Sequence, residues 1–284
     1  MSTPGMVLNL AKKEAFSTAQ NAADWFIKKG IEFYIEKEAA SYLGQQKRGA
    51  TYQQLREKAD YIIVFGGDGT FLHTSHHFIG SGVPLLGINI GQLGFLTDIE
   101  TEELEKALHM VNQKKYKIEH RMMIKAEHFR NGEKIEKNYA LNDYVVNRSP
   151  DSRMVKIKLH INDELVNRFR SDGLIISTPT GSTAYSLSAG GPIINPRQVR
   201  AILITPICPH NLHMRPMVIS GNEKICIEIE GDSGSIFGTV DGHDNSELMS
   251  GDKIYIEAAD REISIIKLPD RTFYTILKEK MNLA

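Results

Sequence analysis

The segment Tyr61-Ile62-Ile63-Val64-Phe65-Gly66-Gly67-Asp68-Gly69-Thr70-Phe71-Leu72 decides how the chain is built. Its first five residues are apolar and rich in β-branched side chains, the pattern of a strand buried on both faces of a parallel sheet. The run stops at three glycines that surround one carboxylate. Glycine permits a backbone with φ > 0 and lets a ligand come close. Residues 70–78 have helical character, so amides at the helix start can face an anion. A carboxylate beside phosphates repels them unless it has a part in the chemistry or a cation stands between. The segment therefore reads as a phosphate-binding turn with Asp68 aimed at the reacting group. The simpler reading is a tight strand-to-helix connection whose glycines serve geometry alone.

Strands and helices alternate around this turn. Residues 7–10 predict a short strand. Residues 14–29 predict a helix, with Ala15, Ala19, Ala22, Ala23, Phe26 and Ile27 at helical spacing and a stop at Gly30. A second strand is expected over 31–35, a helix capped by Thr51 over 51–59, and a further strand over 84–89. This order argues for a parallel, doubly wound α/β sheet, whose ligands sit at the carboxyl ends of the strands; Asp68 and Asn89 fall there.

From about residue 119 the texture changes. Asn131-Gly132 is a hairpin signal between strand-like stretches at 122–129 and 139–141. Residues 155–161 and 165–169 flank Asn162-Asp163, and strand patterns recur over 224–230, 235–240 and 253–258. The second half reads as a larger, mostly antiparallel, sandwich-like β domain. Residues 272–280 predict a final helix that returns to the first domain. The expected division is residues 1–100 plus about 266–284 for the α/β domain, and 101–265 for the β-rich domain.

Composition narrows the class. The chain has 284 residues, 24% of them charged, with a net charge of −1. It is globular rather than disordered, and it lacks the basic field that a nucleic-acid backbone needs. Cys208 and Cys226 lie in apolar surroundings and read as small core residues without metal spacing, in keeping with a reducing compartment. No apolar run approaches membrane-spanning length, and the N-terminus has no charged start followed by an apolar stretch. A soluble cytoplasmic protein is the expectation.

Three further constellations carry chemistry. Gly91-Gln92-Leu93-Gly94-Phe95-Leu96-Thr97 places Phe95 beside glycines at a strand end, where it can stack on a heteroaromatic ring or simply close a second turn. Asn142-Asp143 interrupts the apolar run 139–146. Such a pair is either a satisfied bulge or a partner for a ribose diol, which both donates and accepts. The third runs from Arg170 to Pro192 and contains Ser177-Thr178-Pro179-Thr180-Gly181-Ser182-Thr183-Ala184-Tyr185-Ser186-Leu187-Ser188. Its small residues expose amides and hydroxyls together, which suits phosphates and sugar oxygens, and a helix over 183–189 can point its start at the same spot.

These motifs, in this order and over about residues 60–260, resemble the NAD kinase family. The glycine turn alone is shared with diacylglycerol and sphingosine kinases and with phosphofructokinases; the 178–185 loop narrows the resemblance. It implies ATP-dependent phosphorylation of the adenosine-ribose 2′-hydroxyl of NAD to give NADP, with Mg²⁺ or another divalent cation. It also implies two domains and a homo-oligomer, a dimer or tetramer. By position, Asp68 resembles the residue that takes the hydroxyl proton, and Gly66, Gly67, Gly69 and Thr70 would cradle phosphates. His73 and Arg153 match positions that contact the dinucleotide or its phosphates in some members. Asn142 and Asp143 resemble the ribose pair, where many members carry Glu second; the charge is kept. Arg170 and Asp172 correspond to contacts with the nicotinamide half. Thr183, Ala184, Tyr185, Ser186 and Ser188 would line adenine and ribose with Phe95 nearby, and His243 matches a variable contact. The cation is expected on the ATP phosphates, not on a protein ligand cluster.

Other readings fit less well. A P-loop is excluded because no Gly-x-x-x-x-Gly-Lys stretch exists, and Leu72 stands where the dinucleotide fingerprint needs its third glycine. His73, His76 and His77 share a helix face but read as ordinary helix histidines before they read as metal ligands, and Met122 and Met123 read as core. A lipid or sugar kinase with the same turn, and a dinucleotide sensor without catalysis, stay open as alternatives. The Ser/Thr-rich loop speaks against the first and the intact Asp68 against the second.

Overall fold

Tyr61–Gly66 is a strand buried along its whole length, and a parallel sheet forms around it. In this computed structural model, which describes residues 2–211, 213–231, 234–269 and 271–281, Tyr61–Gly66 pairs with Pro4–Leu8 on one side and Leu85–Asn89 on the other. Tyr34–Glu36 and Gly49–Ala50 extend the sheet beyond Pro4–Leu8. Ile265, near the end of Lys253–Lys267, pairs with Leu85. All these pairings are parallel. The first strand starts at Pro4 rather than at residue 7, because Gly5 without a side chain lets Ile62 and Leu55 close over it. The second starts at Tyr34, after Ile31 and Phe33 have entered the core from the loop.

Two helix ends are set by local chemistry. Lys13–Lys29 stops at Gly30, whose φ of 65° is left-handed and whose amide reaches back to Ile27 and Phe26. Tyr52–Lys58 opens on a reciprocal capping box between Thr51 and Gln54.

The chain divides into two compact units, Met1–His120 with Ile263–Ala284, and Arg121–Glu262. The first unit therefore runs past residue 100. Helix Leu104–Asn112 buries Leu104, Ala107, Leu108 and Val111 in the same core as Ala15, Ala19 and Phe26, so it cannot leave that unit. The closing helix, Phe273–Met281, belongs to the same unit, with Phe273 6.0 Å from the Phe95 ring.

The second unit is antiparallel. One sheet orders Met217–Ser220, Ala201–Ile207, Gly173–Ser177, Asp143–Arg148, Ile236–Val240 and His243–Leu248 side by side. A second layer contains Glu164–Ser171, Val155–Ile161, Ile225–Glu230 and the first part of Lys253–Lys267. Ile225–Glu230 alternates buried and half-buried residues, and its Ile225, Ile227 and Ile229 share a core with Ile176, Ile202 and Val146 of the other sheet. The two-residue turns are where the sequence places them. Asn131 and Gly132 (φ 52° and 82°), and Asn162 and Asp163 (φ 50° and 67°), are left-handed pairs that join hairpins. The cysteines differ from expectation: Cys208 is exposed in a left-handed turn (φ 45°) and Cys226 is only half-buried.

Candidate active site

Helix Asp68–His76 begins two residues before its expected start, so Asp68 stands in its first turn. The glycines act differently from expectation. None of Gly66, Gly67 and Gly69 has a positive φ. A Cβ on Gly66 would strike the Thr70 side chain, whereas Gly67 and Gly69 face open space. Gly66 thus lets the helix sit close against its strand. Gly67 and Gly69 leave the first-turn amides of 68–70, which have no intrahelical acceptor, unscreened by side chains. Asn9 holds Thr70 in place by donating from Nδ2 to Thr70 Oγ1 at 2.9 Å.

The Asp68 carboxylate is held by the next turn. Oδ1 accepts from the amides of Leu96 and Thr97 and from the Thr97 hydroxyl, each at 3.0 Å, and Oδ2 accepts from the Phe95 amide at 2.8 Å. A Cβ on Gly94 would overlap this carboxylate, so residue 94 must be glycine for the grip to form. Three donors fill Oδ1, while Oδ2 keeps a lone pair. The Phe95 ring is half-buried, tilted against Phe273 and with the Lys280 ammonium 5.0 Å from its centroid. His73 is exposed on the helix and 5.2 Å from the His77 ring.

In the second unit, Asn142 and Asp143 do not interrupt a strand. They lie where the chain leaves Glu133–Ala140 and enters Asp143–Arg148 of the other sheet. Asp241, to which the sequence reading gave no role, organises this corner. Its Oδ2 accepts from the Leu141 amide at 2.8 Å, and its Oδ1 from the amides of Asn142 and Asp143 at 2.7 and 3.0 Å. Asp241 and Asp143 are each 5% exposed. Burial first, and the Asp241 charge second, push the Asp143 carboxyl up to about 7. Among the described residues, neither the Asn142 amide nor the Asp143 carboxyl has a hydrogen-bond partner, so both polar tips remain available.

The Asp143 shift has a consequence for stability. Below about pH 3 the carboxyl is mostly protonated in folded and unfolded chains alike. As pH rises to 7 the unfolded chain ionises first, and the fold loses up to about 4 kcal/mol by linkage. Asp143→Asn should therefore raise the melting temperature at pH 8 by several degrees and raise it far less at pH 5. An equal rise at both pH values in thermal unfolding would contradict this assignment.

The serine- and threonine-rich loop turns most of its hydroxyls inward. Ser177 Oγ donates to the Asn142 carbonyl, Thr178 Oγ1 to that of Leu141, and Ser182 Oγ to those of Pro179 and Ile194. Ser186 is buried on Thr205 at 2.9 Å. These residues brace the Asn142–Asp143 corner instead of lining an open surface, because short hydroxyl side chains satisfy buried carbonyls locally. The expected helix over 183–189 is broken at Ala184 into the turn Gly181–Thr183 and the single turn Tyr185–Ser188. Thr183 and Ala184 are half-buried, while Tyr185 and Ser188 are exposed. Asp172 pairs with Arg148, a residue the sequence reading passed over, whose Nε donates to Asp172 Oδ1 at 2.6 Å. Arg170, Arg153 and His243 are exposed.

The chain joins a parallel α/β unit with a carboxylate at a glycine turn to an antiparallel β unit. Comparison with known proteins supplies the class. The ATP-NAD kinase N-terminal domain matches residues 5–116 and the ATP-NAD kinase C-terminal domain matches residues 141–268. The NAD kinase of Heliobacterium modesticaldum is 39% identical over 281 residues, 99% of each chain. That of Caldanaerobacter subterraneus subsp. tengcongensis is 37% identical over 281 residues, again 99% of each. Two solved structures share the fold at 24% identity: yeast NADH kinase complexed with NADH (TM-score 0.90, 100% of this chain and 88% of that one) and an NAD kinase from Archaeoglobus fulgidus in complex with ATP (TM-score 0.79, 99% and 100%). The chain belongs to the NAD kinase family and is a phosphotransferase. Among the described residues no helix is long and apolar enough to cross a membrane.

Proposed function

We propose that the protein transfers the γ-phosphoryl group of ATP to the 2′-hydroxyl of the adenosine ribose of NAD, giving NADP and ADP. The observation that carries the reading is the Asp68 carboxylate, fixed through Oδ1 and with Oδ2 left to accept, beside unscreened helix-start amides. The 2′-oxygen forms the new bond to phosphorus, the bond from the γ-phosphorus to the β–γ bridging oxygen breaks, and the hydroxyl proton passes to Asp68 Oδ2. An aspartate in water titrates near 3.9 and a ribose hydroxyl is a far weaker acid, so the proton moves late, as the loose transition state of phosphoryl transfer permits.

Gly66, Gly67, Gly69 and Thr70 present the phosphate cradle. Asn142 supplies an amide and Asp143 a carboxyl for a ribose diol. Arg170, Asp172, Arg153, His73 and His243 are assigned to the dinucleotide, and Thr183, Ala184, Tyr185 and Ser188 with Phe95 to adenine and ribose. Ser186, turned into the core, is assigned to holding that loop. A divalent cation would offset the repulsion between ATP and Asp68. The cation is assigned to the ATP phosphates, whose hard oxygens suit Mg²⁺. A homo-oligomer is part of the same reading.

A panel of NAD, NADH, diacylglycerol and fructose 6-phosphate, each with ATP and Mg²⁺, tests it. NADP should form from NAD, with no transfer to the lipid or the sugar. Transfer to either of those acceptors, or none to NAD, would overturn the reading.

A further inference from the structure

The turn that grips Asp68 is itself gripped from behind. Lys267 is 2% exposed, and its ammonium lies 2.8 Å from Asp98 Oδ2. The same Nζ stands 3.4 Å from the Phe95 carbonyl oxygen and 3.5 Å from that of Leu96. These distances are long for hydrogen bonds but short for a full charge in a dry place. The two carbonyls belong to the very peptide groups whose N–H ends, at Leu96 and Thr97, donate to Asp68 Oδ1. A buried cation, two peptide dipoles of about 3.5 D each and a carboxylate therefore stand in series. The cation polarises both peptides and makes their amide hydrogens better donors to Asp68. Stability alone gives little reason for the arrangement, because desolvation offsets most of what a buried ion pair gains.

We propose that Lys267 is a positioning residue for Asp68. Through the peptides of Phe95, Leu96 and Thr97 it fixes the carboxylate so that only Oδ2 is offered to the substrate hydroxyl. The Thr97 hydroxyl is the second part of the device, as the one side-chain donor to Oδ1 among the described residues. The inference rests on the reading of Asp68 as proton acceptor.

The test compares wild type, Asp68→Asn, and a double variant with Lys267→Met and Asp98→Asn, which removes both buried charges together. Steady-state kinetics with ATP, Mg²⁺ and NAD should show kcat of the double variant lowered about tenfold or more, with both KM values within about threefold, because a misplaced group costs rate more than binding. Thr97→Val should lower kcat by a smaller factor, and Thr97→Ser should restore it. Where the double variant does not fold, the Thr97 pair decides. A kcat within about twofold of wild type, or a raised KM with kcat intact, overturns the proposal. If Asp68→Asn is inactive while the Lys267 variant is normal, this proposal alone falls. If Asp68→Asn itself turns over like wild type, the reading of Asp68 falls and takes this one with it.

Discussion

Asp68→Asn lowers kcat by about 10²–10⁴-fold while NAD still binds, the range expected when a positioned proton acceptor is lost. The substitution has two consequences in this structure. An amide cannot take the hydroxyl proton. Its NH₂ also replaces Oδ2, which faces the Phe95 amide at 2.8 Å, so one donor is set against another. The turn over 94–97 then loosens at one of its four bonds, and the three bonds to Oδ1 keep the helix start in place. Binding of NAD, measured by calorimetry without ATP, should change little beside the loss of turnover. Turnover near wild type would remove Asp68 from the chemistry.

Asp241→Ala damages the second unit although no contact with substrate is assigned to Asp241. Its carboxylate is the acceptor for three successive amides, those of Leu141, Asn142 and Asp143. A buried amide that loses its acceptor costs roughly 1–3 kcal/mol. Alanine is also disfavoured at the left-handed φ of 50° that Asp241 adopts. A loss of several kcal/mol corresponds to roughly 10 °C in melting temperature for a protein of this size. The corner that carries Asn142 and Asp143 should loosen, and KM for NAD should rise by at least about tenfold, since about 1.4 kcal/mol of lost binding is a factor of ten. Asp241→Asn keeps one oxygen and tolerates the left-handed backbone, so it should fall between alanine and wild type. Thermal unfolding and initial-rate kinetics on both variants check the order. Equal melting temperatures for Asp241→Ala and wild type would show that the three amides do not depend on this side chain.

The features legible in the sequence are those that local chemistry fixes. The buried strand before Asp68, the Gly30 stop, the Thr51 cap and the Asn131-Gly132 hairpin each follow from residue types within a few positions. What escaped depends on partners far along the chain. Asp241 meets residues 141–143 about a hundred positions away, and Lys267 reaches Phe95 and Asp98 from the far end. The local marks of each are slight: an Asp between Val240 and Gly242, and a lysine after Ile265-Ile266, each a polar group in apolar company. The hydroxyl-rich loop differs from expectation for a related reason. Its serines and threonines are polar in composition, yet buried carbonyls at Leu141, Asn142 and Ile194 claim them. The glycine turn is not left-handed as expected: crowding by Thr70, not backbone torsion, requires Gly66.

The position of the new phosphate is the most direct test. Wild-type protein, ATP, Mg²⁺ and NAD should yield one product whose phosphorus couples, in two-dimensional ¹H–³¹P spectra, to the 2′-proton of the adenosine ribose. Coupling to a 3′-proton or to the nicotinamide ribose, or release of inorganic phosphate alone, would contradict the account.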